Sequence, residues 1–117
     1  MDKSSALTAL SALSQETRLD VFQLLVATGP EPMPAGDIAS RLDVLPNTLS
    51  SHLAILHRAG LVRAERSGRV IRYAADYDGM RDLMAFLMRD CCGGRPEICA
   101  PLVEIAEHAN TCVGAAP

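Results

Sequence analysis

The sequence predicts a mainly α-helical domain that carries one β-hairpin, and three observations lead there. Apolar residues recur at helical spacing through most of the chain, in stretches bounded by capping residues, Gly and Pro. Two β-capable runs, "LVRAER" and "RVIRYAA", flank Ser67-Gly68, which is a hairpin signal. The length of 117 residues, with 49% apolar and 21% charged residues, suits one soluble domain with a modest core.

Taken in order, residues 4–13 (SSALTALSAL) form a helix capped by Ser4 or Ser5, with Leu7, Leu10 and Leu13 on one face. Residues 14–28 (SQETRLDVFQLLVAT) form a second helix. Ser14 stands at its N-cap, Glu16 in its first turn, and Leu19, Phe22 and Val26 at helical spacing. Gly29-Pro30 ends it, and "EPMP" is expected as a loop. "AGDIASRLD" makes a short helix burying Ile38 and Leu42.

After a turn at Asp43-Val44, residues 45–59 (LPNTLSSHLAILHRA) form a helix with Leu49, Leu53 and Leu56 on its inner face. Pro46 or Asn47 suits its first turn, and Gly60 its end. The hairpin follows. Residues 76–90 (DYDGMRDLMAFLMRD) are then helical, with Met80, Leu83, Met84, Leu87 and Met88 along one side, until Gly93-Gly94 breaks the element. A last amphipathic piece, "PLVEIAEHA", begins at Pro101.

A short helix, a turn, a second helix and then a hairpin is the plan of a winged helix-turn-helix. Residues 1–92 are accordingly assigned to DNA binding, and residues 93–117 form a C-terminal loop and tail.

The net charge of −3 argues against nucleic-acid binding, but its distribution argues for it. Arg58, Arg63, Arg66, Arg69 and Arg72 lie close together with Glu65 as the lone acid among them, whereas residues 76–107 are acidic. A basic block in an acidic chain is an electrostatic footprint for phosphate. In the helix ahead of the hairpin, Asn47, Thr48, Ser50, Ser51 and His52 are short polar groups suited to base edges and phosphates. Arg66 and Arg69 flank the hairpin tip, with Arg63 and Arg72 on its strands. The expected partner is double-stranded operator DNA.

"TLSSHLAILHRAGLVRAERSGRVIRY" resembles the helix-to-wing signature of ArsR/SmtB-type winged-helix repressors, through its S-x-H-L-x-x-L-x-x-A-G-L-V pattern. "LSQETRLDVFQLL" is similar to that family's second helix, and the resemblance covers residues 5–90. It implies a homodimeric repressor that leaves its operator on binding a metal ion or metalloid. Dimer contacts would come from the first and last helices, around residues 5–13 and 76–90, with Met80, Met84 and Met88 as packing residues.

Family members hold effectors at different positions. The site that uses cysteines on the first helix of the DNA-reading pair is absent, because "PAGDIASRLDV" has none. The zinc-type site on the last helix would have Asp76, Asp78 and Asp82 but no histidine. Cys91, Cys92 and Cys99 remain, and they resemble the C-terminal three-cysteine arsenite site of a subset of the family. Thiolates select soft acceptors, and three sulfurs suit pyramidal As(III). Gly93-Gly94 gives the backbone freedom to aim an adjacent pair at one atom. Zinc prefers four ligands, usually as separated pairs.

Sb(III) and methylated trivalent arsenic are further effectors of this chemistry, and Cys112 is either a fourth ligand or a tail residue. Two alternatives use the same thiols: a redox switch closing a disulfide with Cys99, or a Cd, Pb or Zn sensor. A DNA binder with no effector is a third.

An enzyme such as a thiol reductase would need a C-x-x-C helix start or a phosphate-cradling loop, and neither is present. The N-terminus lacks the basic region of a signal peptide and no apolar run approaches the ~20 residues of a membrane span, so a cytoplasmic protein is expected.

Overall fold

The computed structural model describes residues 1–89. The elements run α1 (Lys3–Leu13), α2 (Glu16–Thr28), β1 (Met33–Pro34), α3 (Ala35–Leu42), α4 (Pro46–Arg58), β2 (Val62–Ser67), β3 (Val70–Ala75) and α5 (Tyr77–Met88). The sheet is antiparallel in the order β1-β3-β2. This is a winged helix-turn-helix: α3 and α4 are the helix pair, and β2–β3 is the wing. The core is built around Val21, Leu25, Ile38, Leu49, Leu53, Leu56, Leu61 and Val62.

Local chemistry sets the helix starts. Asp2, not Ser4 or Ser5, caps α1, accepting from the Ser5 N–H at 2.7 Å. That hydrogen bond holds the Asp2 carboxyl below the usual aspartate range. Gln15 rather than Ser14 caps α2, taking the Arg18 N–H at 2.9 Å. Ser14 closes α1 instead, its hydroxyl donating to the Ser11 carbonyl at 2.7 Å.

Both helices of the helix-turn-helix pair end in the same hydrogen-bonded turn. At the end of α3, Val44 N–H donates to Ala39 O at 3.0 Å and Asp43 N–H to Ser40 O at 3.4 Å. Asp43 lies in the left-handed region at φ 54°. At the end of α4, Leu61 N–H donates to Leu56 O at 3.1 Å and Gly60 N–H to His57 O at 3.0 Å, with Gly60 at φ 79°. Turn and second helix are thereby fixed in angle to the core.

Packing overrides the sequence pattern in several places. In α1 the face laid on α2, α4 and α5 is Ala6, Ala9 and Ala12, while Leu7 is 57% exposed and Leu10 is also exposed. Small side chains let α1 approach its neighbours closely; Leu7 and Leu10 are left outward, while Leu13 packs against the core. In α2 the buried residues are Val21, Phe22 and Leu25, with Leu19 exposed.

The expected "EPMP" loop contains β1: Met33 pairs with Tyr73 and Pro34 with Arg72. Pro34 is tolerated there because β1 is an edge strand. The wing turn is Gly68-Arg69, one residue later than expected, because Ser67 still pairs with Val70. Gly68 takes φ 64° at the first central position, as a type II′ turn requires.

The long helix stops at Met88. Arg89 is extended at ψ 130°, its N–H bonded to Phe86 O at 3.2 Å and its guanidinium 4.7 Å from the Phe86 ring centroid. The apolar side expected of α5 divides: Leu83 is buried and Met80 and Phe86 pack on the core, whereas Met84 and Leu87 are exposed. The expected helix from Pro101 lies outside the described residues.

Candidate nucleic-acid interface

The outward surface of α4 follows from its buried stripe. Leu49, Leu53 and Leu56 face the core, which turns Asn47, Ser51 and Arg58 to the opposite side and places Thr48 and Ser50 on the flanks. All five are exposed. Leu45, at the N-cap, is 75% exposed and makes no side-chain cap bond. Apart from Arg58 the helix face is uncharged, made of short donors and acceptors that can approach base edges.

The wing supplies charge beside it. Arg69 sits in the turn, and Arg66 and Arg72 are exposed on the strands. Because Arg66 pairs with Ile71 while Arg72 pairs with Glu65, the two arginines leave opposite faces of the hairpin. No ion pair engages Arg66, Arg69 or Arg72 among the described residues.

Two of the expected DNA-contacting residues also have partners within the fold. Arg63 lies at the base of the wing, donating from Nη2 to Pro30 O at 2.7 Å and from Nη1 to Glu65 Oε1 at 3.1 Å. His52 is half-buried, and Arg18 Nη1 donates to its Nδ1 at 3.3 Å. The same guanidinium donates from Nε to Ala12 O at 2.7 Å, so Arg18 ties the end of α1 to α2 and α4. It also satisfies a carbonyl in the last turn of α1, where a cation is favoured by the helix dipole.

Sequence reasoning put Arg58 in the basic block but not on the outward face of α4, although the spacing 47, 51, 58 keeps one helix face; the exposure of Leu45 carried no polar signal.

Helix α5 is seated directly on the end of α4. Asp76 N–H donates to Leu61 O at 2.9 Å, and Asp76 Oδ1 caps α5 by accepting from Gly79 N–H at 3.0 Å. A Cβ built on Gly79 would collide with the Gly60 carbonyl oxygen, so the approach requires glycine. Tyr77 adds a tie from α5 to α2, donating to Val26 O at 3.0 Å.

Of the acids considered for a zinc-type site, two have other partners, Asp76 capping its helix and Asp78 pairing with Arg81 at 2.7 Å, while Asp82 is exposed. Among the described residues no group of three or more His, Cys, Asp or Glu could hold a metal ion. Cys91, Cys92, Cys99 and Cys112 lie outside the described residues. No helix among the described residues is long and apolar enough to cross a membrane.

Comparison with known proteins points the same way. A helix-turn-helix domain family matches residues 13–65. The transcriptional activator HlyU of Vibrio cholerae is 30% identical over 94 residues, which is 79% of this chain and 84% of HlyU. An ArsR-like transcriptional regulator from Rhodococcus sp. RHA1 has a solved structure 29% identical in sequence, with TM-score 0.67 over 91% of this chain and 93% of that one. A homodimeric winged helix-turn-helix DNA-binding domain from Mycobacterium bovis is 27% identical, with TM-score 0.60 over 73% and 77% of the two chains. A possible transcriptional regulator for arsenical resistance is 28% identical, with TM-score 0.59 over 68% and 79%.

Proposed function

Because the chain belongs to the ArsR/SmtB-type winged-helix transcriptional regulators, DNA-binding proteins and not enzymes, we propose that it is a homodimeric repressor released from its operator by trivalent arsenic. The observation that carries the DNA part is the polar outward face of α4, held over the Leu49–Leu53–Leu56 stripe and flanked by the exposed arginines of the wing. Two copies of α4 would enter successive major grooves of a palindromic site, about one helical turn apart. The exposed Leu7 and Leu10 of α1 with Met84 and Leu87 of α5 offer the apolar surface a dimer would bury.

The arsenic part rests on the thiols of Cys91, Cys92 and Cys99, which begin just beyond α5, and is supported by the similarity to a regulator described as one for arsenical resistance. Each As–S bond would replace an As–OH bond of arsenous acid, the thiol proton leaving with the hydroxyl as water and no oxidation state changing. A methylated arsenical needs only two sulfurs, and Sb(III) follows the same exchange. Residues 1–92 would then act as the DNA and dimer unit and 93–117 as the effector segment, with Cys112 outside the three-thiolate set.

Drawing the three cysteines together would pull on the end of α5, and α5 bears on the end of α4 through Gly79 and Gly60. A coupling of about 1–3 kcal/mol between ligand and DNA is typical of such linkage.

The test is an operator-release titration with arsenite, antimonite, cadmium, zinc and peroxide in parallel, on the parent and on Cys99→Ser. Arsenite should release the parent, while Cys99→Ser should bind DNA normally and stay bound. Normal release of that variant by arsenite would remove the three-thiol site. Release by peroxide alone would replace it with a redox switch, and release by cadmium or zinc alone with a divalent-metal site.

A further inference from the structure

Leu45 is the most exposed large apolar side chain of the described residues, at 75%, and it stands where a polar residue would be expected. It occupies the N-cap of α4, the position at which Ser, Thr, Asn or Asp accepts a hydrogen bond from the first turn. Leucine makes no such bond, so its side chain does nothing for the helix start. It does nothing for the core either: Val44 before it is half-buried and packs inward, and Leu49 begins the buried stripe. It also belongs to neither of the helices, α1 and α5, whose exposed leucines and methionine form the apolar surface described above.

The exposed residues that follow it on the first turns of α4 are polar, Asn47, Thr48 and Ser51 among them. In the major groove each base pair presents donors and acceptors, and the one carbon group on offer is the thymine 5-methyl. An apolar side chain at the leading end of an otherwise polar DNA-reading helix matches that group and no other feature of the groove.

We propose that Leu45 is a specificity-determining residue that packs on a thymine 5-methyl in each operator half-site. The inference rests on α4 being the DNA-reading helix and extends it to a named base feature.

The experiment uses the full-length protein and the duplex it selects from a random library. Each thymine in the selected site is replaced singly by deoxyuridine, which removes only the methyl, and binding is followed by fluorescence anisotropy. The parent should lose about fourfold per half-site at one thymine, the factor expected from uncovering one methyl group. Leu45→Ala should bind the thymine and deoxyuridine duplexes equally at that position. Leu45→Ser should be equally indifferent while melting at a higher temperature, because serine restores the cap, which shows that lost discrimination is not lost folding.

A selected half-site without thymine, a parent indifferent to every deoxyuridine, or a Leu45→Ala protein that keeps the parent's loss would each overturn the inference and leave the DNA-reading helix intact. A parent that selects no duplex would overturn that helix assignment as well.

Discussion

Gly79→Ala tests the seat of α5 on α4, because two effects of opposite sign meet at one residue. In an unhindered helix, Gly→Ala is stabilising by up to about 1 kcal/mol, since alanine loses less backbone entropy on folding. At Gly79 the added methyl would run into the Gly60 carbonyl, which cannot retreat cheaply. Gly60 is held at φ 79° by its own N–H bond to His57 O, and its neighbour Leu61 is bonded both to Leu56 O and from Asp76 N–H.

Overpacking a tight contact typically costs about 1–3 kcal/mol. Because the obstacle is backbone, the cost falls in the upper part of that range, about 2–3 kcal/mol. Less a propensity gain of about 1 kcal/mol, the net loss is about 1–2 kcal/mol, or roughly 5–15 °C in melting temperature for a domain of this size. Thermal and urea denaturation of the parent and the variant measure it. Gly36→Ala is the control: it lies in α3 with no atom near the added Cβ, and it should gain up to about 1 kcal/mol. If Gly79→Ala melts at or above the parent while Gly36→Ala behaves as expected, the close approach of α5 to the α4 turn is wrong.

Two further substitutions probe the turn and the wing. Asp43→Gly, at the left-handed position ending α3, should stabilise by about 0.5 kcal/mol and raise the melting temperature by roughly 2–4 °C, whereas Asp43→Val should lower it. Arg66→Ala with Arg69→Ala should weaken operator binding and flatten the plot of log Kobs against log salt. The slope should change by about 0.9 for each phosphate that the protein no longer neutralises, or ~3.6 for four such phosphates across a dimer. An unchanged slope in anisotropy titrations would take the wing tip off the DNA.

Much of the architecture was legible in the sequence because local rules govern it. The Leu49, Leu53 and Leu56 spacing, Pro46 at the first turn and Gly60 at the end defined α4, and the β-capable runs around Gly68 defined the wing. Strand β1 was not legible, since Met33 and Pro34 become a strand only by pairing with Tyr73 and Arg72, far along the chain. The interface was legible in the same proportion. Asn47, Thr48, Ser50 and Ser51 could be assigned outward once the leucines were assigned inward, and Arg66 and Arg69 followed from the turn.

The sequence alone determined the order of the helices and the hairpin, the polar face of α4 and, to within one residue, the position of the basic turn, since periodicity, caps and turn residues act over a few neighbours. Tertiary packing decided the rest. It turned the alanines of α1 inward and Leu7 and Leu10 out, because close helix approach needs small side chains and no single-helix pattern records the neighbour. It drew Arg63 to Pro30 and His52 to Arg18, because a side chain's partner depends on distant backbone brought near. It also set Gly79 against Gly60 and left Leu45 in the open, a close approach and an exposure that exist only once the chain has folded.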